Sequence, residues 1–251
     1  MPYKFAIERP DYSNLASGRV FYSLPGYPAF PIRLASEIFQ RCLAHFQPTN
    51  PEARPVIYDP CCGAAYHLTT LAYLHRTKIG AIIASDVSPE AAQLAERNLA
   101  LITIEGLDRR MRELADMREK YGKVSHEAAL ESARFLRGAV SERERMHPIP
   151  TRVFQADAAD GRTLLDHLRD TKVDIVFTDV PYGRHSGWQG GLRDAPNPVA
   201  GMLDALWNCM APSGLVAVAS DKGQKIFHEK YLRIERFQVG KRQVVILKPE
   251  G

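Results

Sequence analysis

Apolar residues along this chain alternate between two rhythms. Short continuous runs, at Val56–Tyr58, Ala81–Ser85, around Val153, Val173–Thr178 and Leu215–Ser220, predict strands buried on both faces. Between them the spacing is helical. Leu34, Ile38, Cys42 and Phe46 mark one face of a helix over Ile32–Phe46, with Pro31 near its start. Another helix follows the Asp59–Gly63 turn and runs through about His75. Ser88 is a natural N-cap, Pro89 suits the first helical position, and Glu90 opposes the dipole of a helix reaching Leu101. Helices are also predicted over Gly161–Arg169 and near Val199–Met210, and Tyr231–Phe237 with Gln243–Leu247 reads as a closing strand pair. Alternating strands and helices imply an α/β fold with a mostly parallel sheet covered on both sides.

Two segments stand outside that rhythm. Residues 1–54 form an N-terminal segment and helix ahead of the main domain, 55–251; within them Gly26–Pro31 reads as an ordered loop leading into the helix. Residues 106–147 are heavily charged and helix-compatible over Leu107–Tyr121 and His126–Met146, with a turn at Gly122–Ser125. They predict a helical hairpin inserted before the third core strand. It is either a solvated surface pair or an RNA-contacting arm carrying Arg109, Arg110, Arg112, Arg118 and Lys120.

Composition narrows the partners without naming them. The 251 residues are 45% apolar and 25% charged, enough for a sizeable core without staples. The net charge of +4 permits a nucleic-acid partner but does not require one. Cys42, Cys61, Cys62 and Cys209 form neither a C-x-x-C pair nor a zinc spacing, so no metal is expected, and a reduced, cytoplasmic protein is the simplest reading. No apolar run approaches the roughly 20 residues of a membrane span, and no membrane partner is expected. A monomer is favoured.

The chemistry gathers where strands end. Asp59-Pro60-Cys61-Cys62-Gly63 follows the first core strand; Gly63 lets the backbone approach a ligand, the small Cys61 leaves room, and Asp59 can accept from a cationic amino-acid moiety. Asp86 ends the second strand, where an acid binds ribose hydroxyls, and Asp157 follows the third, where it can accept from an adenine amino group. Each alone is equally a helix cap or a tight turn; three acids at three successive strand ends point to a nucleotide cofactor. Asp179-Val180-Pro181-Tyr182 closes the fourth strand. Pro181 fixes the backbone, the Asp179 carboxylate faces a base edge, and Tyr182 offers a stacking face worth about 1–3 kcal/mol per base. The following stretch, Gly183–Asn197, is either a connector or a target-side loop with Arg184, His185, Trp188 and Arg193. His185 ranks below Asp179 as a general base, and His67 and His75 read as structural. Cofactor and planar base side by side over one sheet is the layout of an S-adenosylmethionine-dependent nucleobase methyltransferase.

Pro25–Pro31, Glu37–Arg41, Asp59–Gly63, Ala84–Val87, Asn98–Leu101 and Pro181–Gly183 together resemble the AviRa family of avilamycin-resistance ribosomal RNA methyltransferases, over nearly the whole chain. The resemblance implies a Rossmann-like class I methyltransferase sheet with a helical addition. It also implies methyl transfer from S-adenosylmethionine to ring N1 of a guanine in large-subunit (23S) ribosomal RNA, with orthosomycin resistance as the role. Two positions depart from the expected family pattern: Ala64-Ala65 where a second glycine is expected, and Val180 in place of leucine. Guanine N1 carries a proton that must leave, so a carboxylate poised there would accept it, and the base must be looped out to reach a pocket. Methylation of an exocyclic amine, or a catalytically silent RNA-binding assembly factor, are the alternatives.

Overall fold

The computed structural model describes residues 3–181 and 187–250. Seven strands form one sheet: β1 (Val56–Asp59), β2 (Ala81–Asp86), β3 (Thr151–Gln155), β4 (Val173–Asp179), β5 (Met210–Asp221), β6 (Tyr231–Val239) and β7 (Arg242–Pro249). Their order is β3-β2-β1-β4-β5-β7-β6. The first five run parallel, and β7 is antiparallel to both β5 and β6. The chain order reverses direction between β1 and β4, and there the strand ends open into a crevice.

Helices α1 (Ile32–Phe46), α2 (Tyr66–His75) and α3 (Pro89–Ala100) cover one face; α6 (Gly161–Leu168) and α7 (Pro198–Leu206) cover the other, with α4 (Ile104–Tyr121) and α5 (Val124–Met146) between α3 and β3. Side chains alternate across the sheet accordingly. Ile57, Ile82, Ile175 and Phe177 pack with Leu34, Ile38, Leu68 and Leu71, while Tyr58, Ile83, Val176 and Val216 pack with Leu164, Leu168, Leu203 and Leu206. The N-terminal helix thus shares the sheet's main core. One expected boundary moves: α7 stops at Leu206, a short 3-10 turn spans Trp207–Cys209, and β5 already starts at Met210. Pro212 lies just beyond and cannot continue a helix.

The expected caps form. Ser88 Oγ accepts from Ala91 N at 3.2 Å and opens α3, and Thr103 Oγ1 accepts from Gly106 N at 3.1 Å and opens α4. Gly122 ends α4 in the left-handed region at φ 60°. Leu107, Leu114, Leu130, Ala133 and Leu136 of the hairpin bury against Leu15, Val20 and Phe21 of the N-terminal segment. One side of the pair is therefore core rather than solvated surface.

Two buried polar side chains tie that segment down. Glu37 accepts from the backbone N–H groups of Lys4, Phe5 and Ala6 at 2.6, 2.8 and 2.7 Å and pairs with Arg41. Burial alone would raise its pKa, but those donors together bring it below the ordinary value. Asn98 is fully buried; its Oδ1 accepts from Tyr22 N at 2.8 Å, and its Nδ2 donates to Tyr22 O at 3.0 Å and Ala64 O at 2.9 Å. Asn98→Ala leaves these three backbone groups without their partner, and we expect a loss of about 2–4 kcal/mol. Urea unfolding checks this; an unshifted midpoint would show that the tie carries no stability.

Candidate active site

A cavity of about 550 Å³ opens at the carboxyl ends of β1, β2, β3 and β4, within the roughly 300–1,000 Å³ of small-molecule sites. Asp59, Cys61, Gly63, Asp86, Asp157, Asp179 and Pro181 all line it, so the sheet gathers the strand-end acids around one space.

Asp59 is the last residue of β1 and is fully buried. Its Oδ1 accepts from Cys61 N at 3.0 Å, and its Oδ2 makes no hydrogen bond among the described residues. Burial pushes its pKa up to about 8; the Cys61 N–H and the Thr178 hydroxyl oppose the rise, and the charges of Asp86 and Asp179 add to it. His67 Nε2 lies 3.3 Å from both Asp59 Oδ2 and Phe177 O. Burial holds the imidazole pKa down at about 4, so His67 is neutral at pH 7 and the contact is not an ion pair.

The turn after β1 is tightly wound. Gly63 sits at φ 50°, and its N–H donates to Asp86 Oδ2 at 2.9 Å. Ala65 adopts φ 49°, a conformation that glycine takes without steric cost. This is the stretch where the sequence departs from the expected second glycine. Asp86 Oδ1 accepts from Ser88 N at 3.0 Å, and burial raises its carboxyl pKa against these backbone donors.

Asp157 ties the end of β3 to the loop beyond β4. Its Oδ1 accepts from Ala159 N at 2.9 Å, and its Oδ2 accepts from Gly191 N at 2.6 Å in the loop beyond β4. Gly190 takes φ 60°, and a side chain there would overlap the Asp157 carboxylate. Trp188 of the same loop lines the cavity, whereas Arg193 is exposed and does not. Tyr182, Arg184 and His185 lie outside the described residues.

The hairpin arginines divide. Arg109 and Arg112 are exposed on α4 and do not line the cavity. Arg110 corrects the expectation of a phosphate-binding residue. It is buried, its Nε donates to Val20 O at 2.8 Å, its Nη1 to Glu113 at 3.0 Å, and its Cζ stacks 4.2 Å from the Tyr22 ring centroid. Its guanidinium holds the N-terminal segment to α4. The helix is also charge-balanced, with Arg109, Arg110, Arg112, Arg118 and Lys120 against Glu105, Asp108, Glu113, Asp116 and Glu119.

Several lining residues were not singled out from the sequence as site residues. Tyr27 and Phe30 come from the N-terminal loop, His67 from α2, Glu90 from α3 and Arg242 from β7. The Tyr27 hydroxyl donates to Ser88 Oγ at 3.2 Å, which places its ring beside the Gly63 turn.

Known proteins match this chain in sequence and in fold. The model of the rRNA methyltransferase AviRa family matches residues 1–242. The chain belongs to the AviRa family. A relative from Streptomyces viridochromogenes, the 23S rRNA (guanine(2535)-N(1))-methyltransferase, is 40% identical over 98% of this chain and 95% of its own length. Two solved structures of the rRNA methyltransferase AviRa from that organism each superpose with a TM-score of 0.85, one at 40% identity covering 99% of this chain and 96% of the other, the second at 38% covering 98% and 96%. The sheet of this AviRa-family chain is the class I methyltransferase sheet, with α4 and α5 as its helical addition. Among the described residues no cluster of side chains suits a metal ion, and no helix is long and apolar enough to cross a membrane.

Asp59 gives a pH-dependent test. An acid raised in the folded state from 3.8 to about 8 keeps a proton that the unfolded chain releases, so the fold loses stability as pH rises between those values. Asp59→Asn should remove that loss and raise the melting temperature at pH 8, by about 2–4 °C for each kcal/mol relieved. Calorimetric scans of parent and variant at pH 5 and pH 8 check it; an equal gain at both would show that Asp59 titrates normally.

Proposed function

We propose that the cavity binds S-adenosylmethionine and that the chain methylates N1 of a guanine in 23S ribosomal RNA. The observation that carries this reading is the set of carboxylates from Asp157, Asp86, Asp59 and Asp179 on four neighbouring strand ends around one space. The donor set fits the cofactor. Asp59 Oδ2, buried without a hydrogen bond, is matched to an ammonium, Asp86 to the ribose hydroxyls, and Asp157 to the adenine amino group beside Val87, Ala158 and Leu192. Cys61 and Gly63 shape the wall beneath it. A field of carboxylates also suits a cationic sulfur.

When bound, the cofactor supplies a methyl group already activated by positively charged sulfur. Asp179 accepts the N1 proton of the flipped guanine, Pro181 fixes the chain at the base edge, and Tyr182 stacks on its face. Trp188, Arg184 and Arg193 meet the flanking RNA, with Arg109 and Arg112 as more distant phosphate contacts. Ribosomal RNA as substrate places the protein in the cytoplasm, and orthosomycin resistance is the role that the family reading implies.

The test is incubation of the protein with labelled S-adenosylmethionine and 23S ribosomal RNA, followed by mass mapping of the nucleoside. N1-methylguanine supports the reading; a methylated exocyclic amine, or no transfer at all, rejects it. Asp86→Ala should weaken cofactor binding at least about tenfold, since hydrogen bonds to a charged acceptor contribute roughly 1.5–3 kcal/mol each. Asp179→Asn should leave calorimetric cofactor affinity unchanged and slow single-turnover transfer by about 10²–10⁴, with part of the rate recovered at alkaline pH. Parent-like turnover in Asp179→Asn at neutral pH would remove Asp179 as the base.

A further inference from the structure

We propose that Arg242 is a catalytic residue that donates to O6 of the target guanine and holds the negative charge that appears there as N1 loses its proton. The proposal rests on the guanine-N1 reading above. Its ground is the distribution of charge around the cavity. The described lining carries Asp59, Asp86, Glu90, Asp157 and Asp179, and one guanidinium, that of Arg242. Among these acids the guanidinium supplies a fixed positive charge, the kind of group that stabilises anionic charge developing beside it.

Its place in the sheet selects that site. Across the strand order the acids run Asp157, Asp86, Asp59, Asp179, and Arg242 follows as the first residue of β7, two strands beyond β4. It stands at the end away from the adenosine acids, on the target side of Asp179. Alternation puts it on the same face: Val244 and Ile246 share a core with Phe177, Ile175 and Ile57, and Arg242, Asp179 and Asp59 continue those three rows. Phe30 bridges the gap. Its ring centroid is 5.7 Å from that of Phe177, and Arg242 Cζ lies 5.4 Å from its own centroid. This cation–π contact holds the half-buried guanidinium beside Phe30, itself a residue of the cavity lining.

The step balances without a further reactant. The N1–H bond breaks and the proton goes to the Asp179 carboxylate. The freed electron pair, shared between N1 and O6, forms the bond from N1 to the methyl carbon. The carbon–sulfur pair leaves with sulfur, which becomes a neutral thioether. Arg242 keeps all its protons and contributes hydrogen bonds to O6 that strengthen as charge builds.

The experiment compares the parent with Arg242→Gln and Arg242→Lys, by single-turnover methyl transfer to 23S ribosomal RNA across pH and by calorimetric binding of S-adenosylmethionine. Arg242→Gln should slow transfer by about 10²–10³, the usual loss for one donor to a developing oxyanion. The deficit should shrink at alkaline pH, where guanine N1 ionises unaided. Cofactor affinity should stay within about twofold of the parent, and Arg242→Lys, which keeps the charge, should retain a larger share of the rate. Cofactor affinity that falls as far as the rate would make Arg242 a ligand of the cofactor carboxylate and overturn the proposal. A rate equal to the parent's would leave it only a packing partner of Phe30. Should Arg242→Gln fail to fold, Arg242→Lys decides through the same pH profile. A parent that modifies no guanine N1 overturns the underlying reading, whereas an active parent with indifferent variants overturns only the role of Arg242.

Discussion

Everything around the crevice depends on keeping one carboxyl group, that of Asp59, out of water without giving it a full set of partners. The parallel sheet imposes this. β1 is covered on both faces and ends at the point where strand order reverses, so its last side chain must sit in the crevice floor. His67 stays neutral beside it and supplies no counter-charge. The result is a carboxyl group that keeps its proton up to about pH 8 in the empty fold, because ionising it there is costly. A cationic ligand would relieve that cost, and core packing on both faces of the sheet tolerates it.

The second requirement is closure from above, and it is met by residues far away in sequence. The N-terminal segment is held by Asn98, Glu37, Arg110 and the hairpin core, and it delivers Tyr27 and Phe30 to the cavity wall. The inserted helices thus support the proposed cofactor side of the molecule as well as any RNA contact. They form the surface on which the N-terminal segment is folded, so the helical addition is part of the site's support.

The strand-end acids were legible in the sequence because a short apolar run followed by Asp and a small residue has few structural solutions. Asp59, Asp86 and Asp179 end their strands as expected, and Asp157 follows β3 closely. Arg242 and Phe30 were not legible as site residues. Each reaches the cavity through tertiary packing, and no local spacing reports that β7 is threaded between β5 and β6. Arg110 was misread although a signal existed. Leu107, Arg110 and Leu114 follow one another at helical intervals of three and four, so Arg110 occupies the buried stripe of α4. A charged residue type outweighed its own periodicity.

The tie between Asp157 and Gly191 couples two parts of the crevice. One carboxylate is shared by the adenine end of the proposed cofactor site and by the loop that follows the target motif. Whatever cofactor binding does to that loop, the loop must do in equal measure to the cofactor, because coupling free energies are reciprocal. The adenosine portion is the same before and after methyl transfer. In the proposed site this tie would respond to a seated nucleoside and not to whether its methyl group has been spent. Where RNA engages that loop, the affinities for RNA and for the nucleoside are coupled through a single side chain.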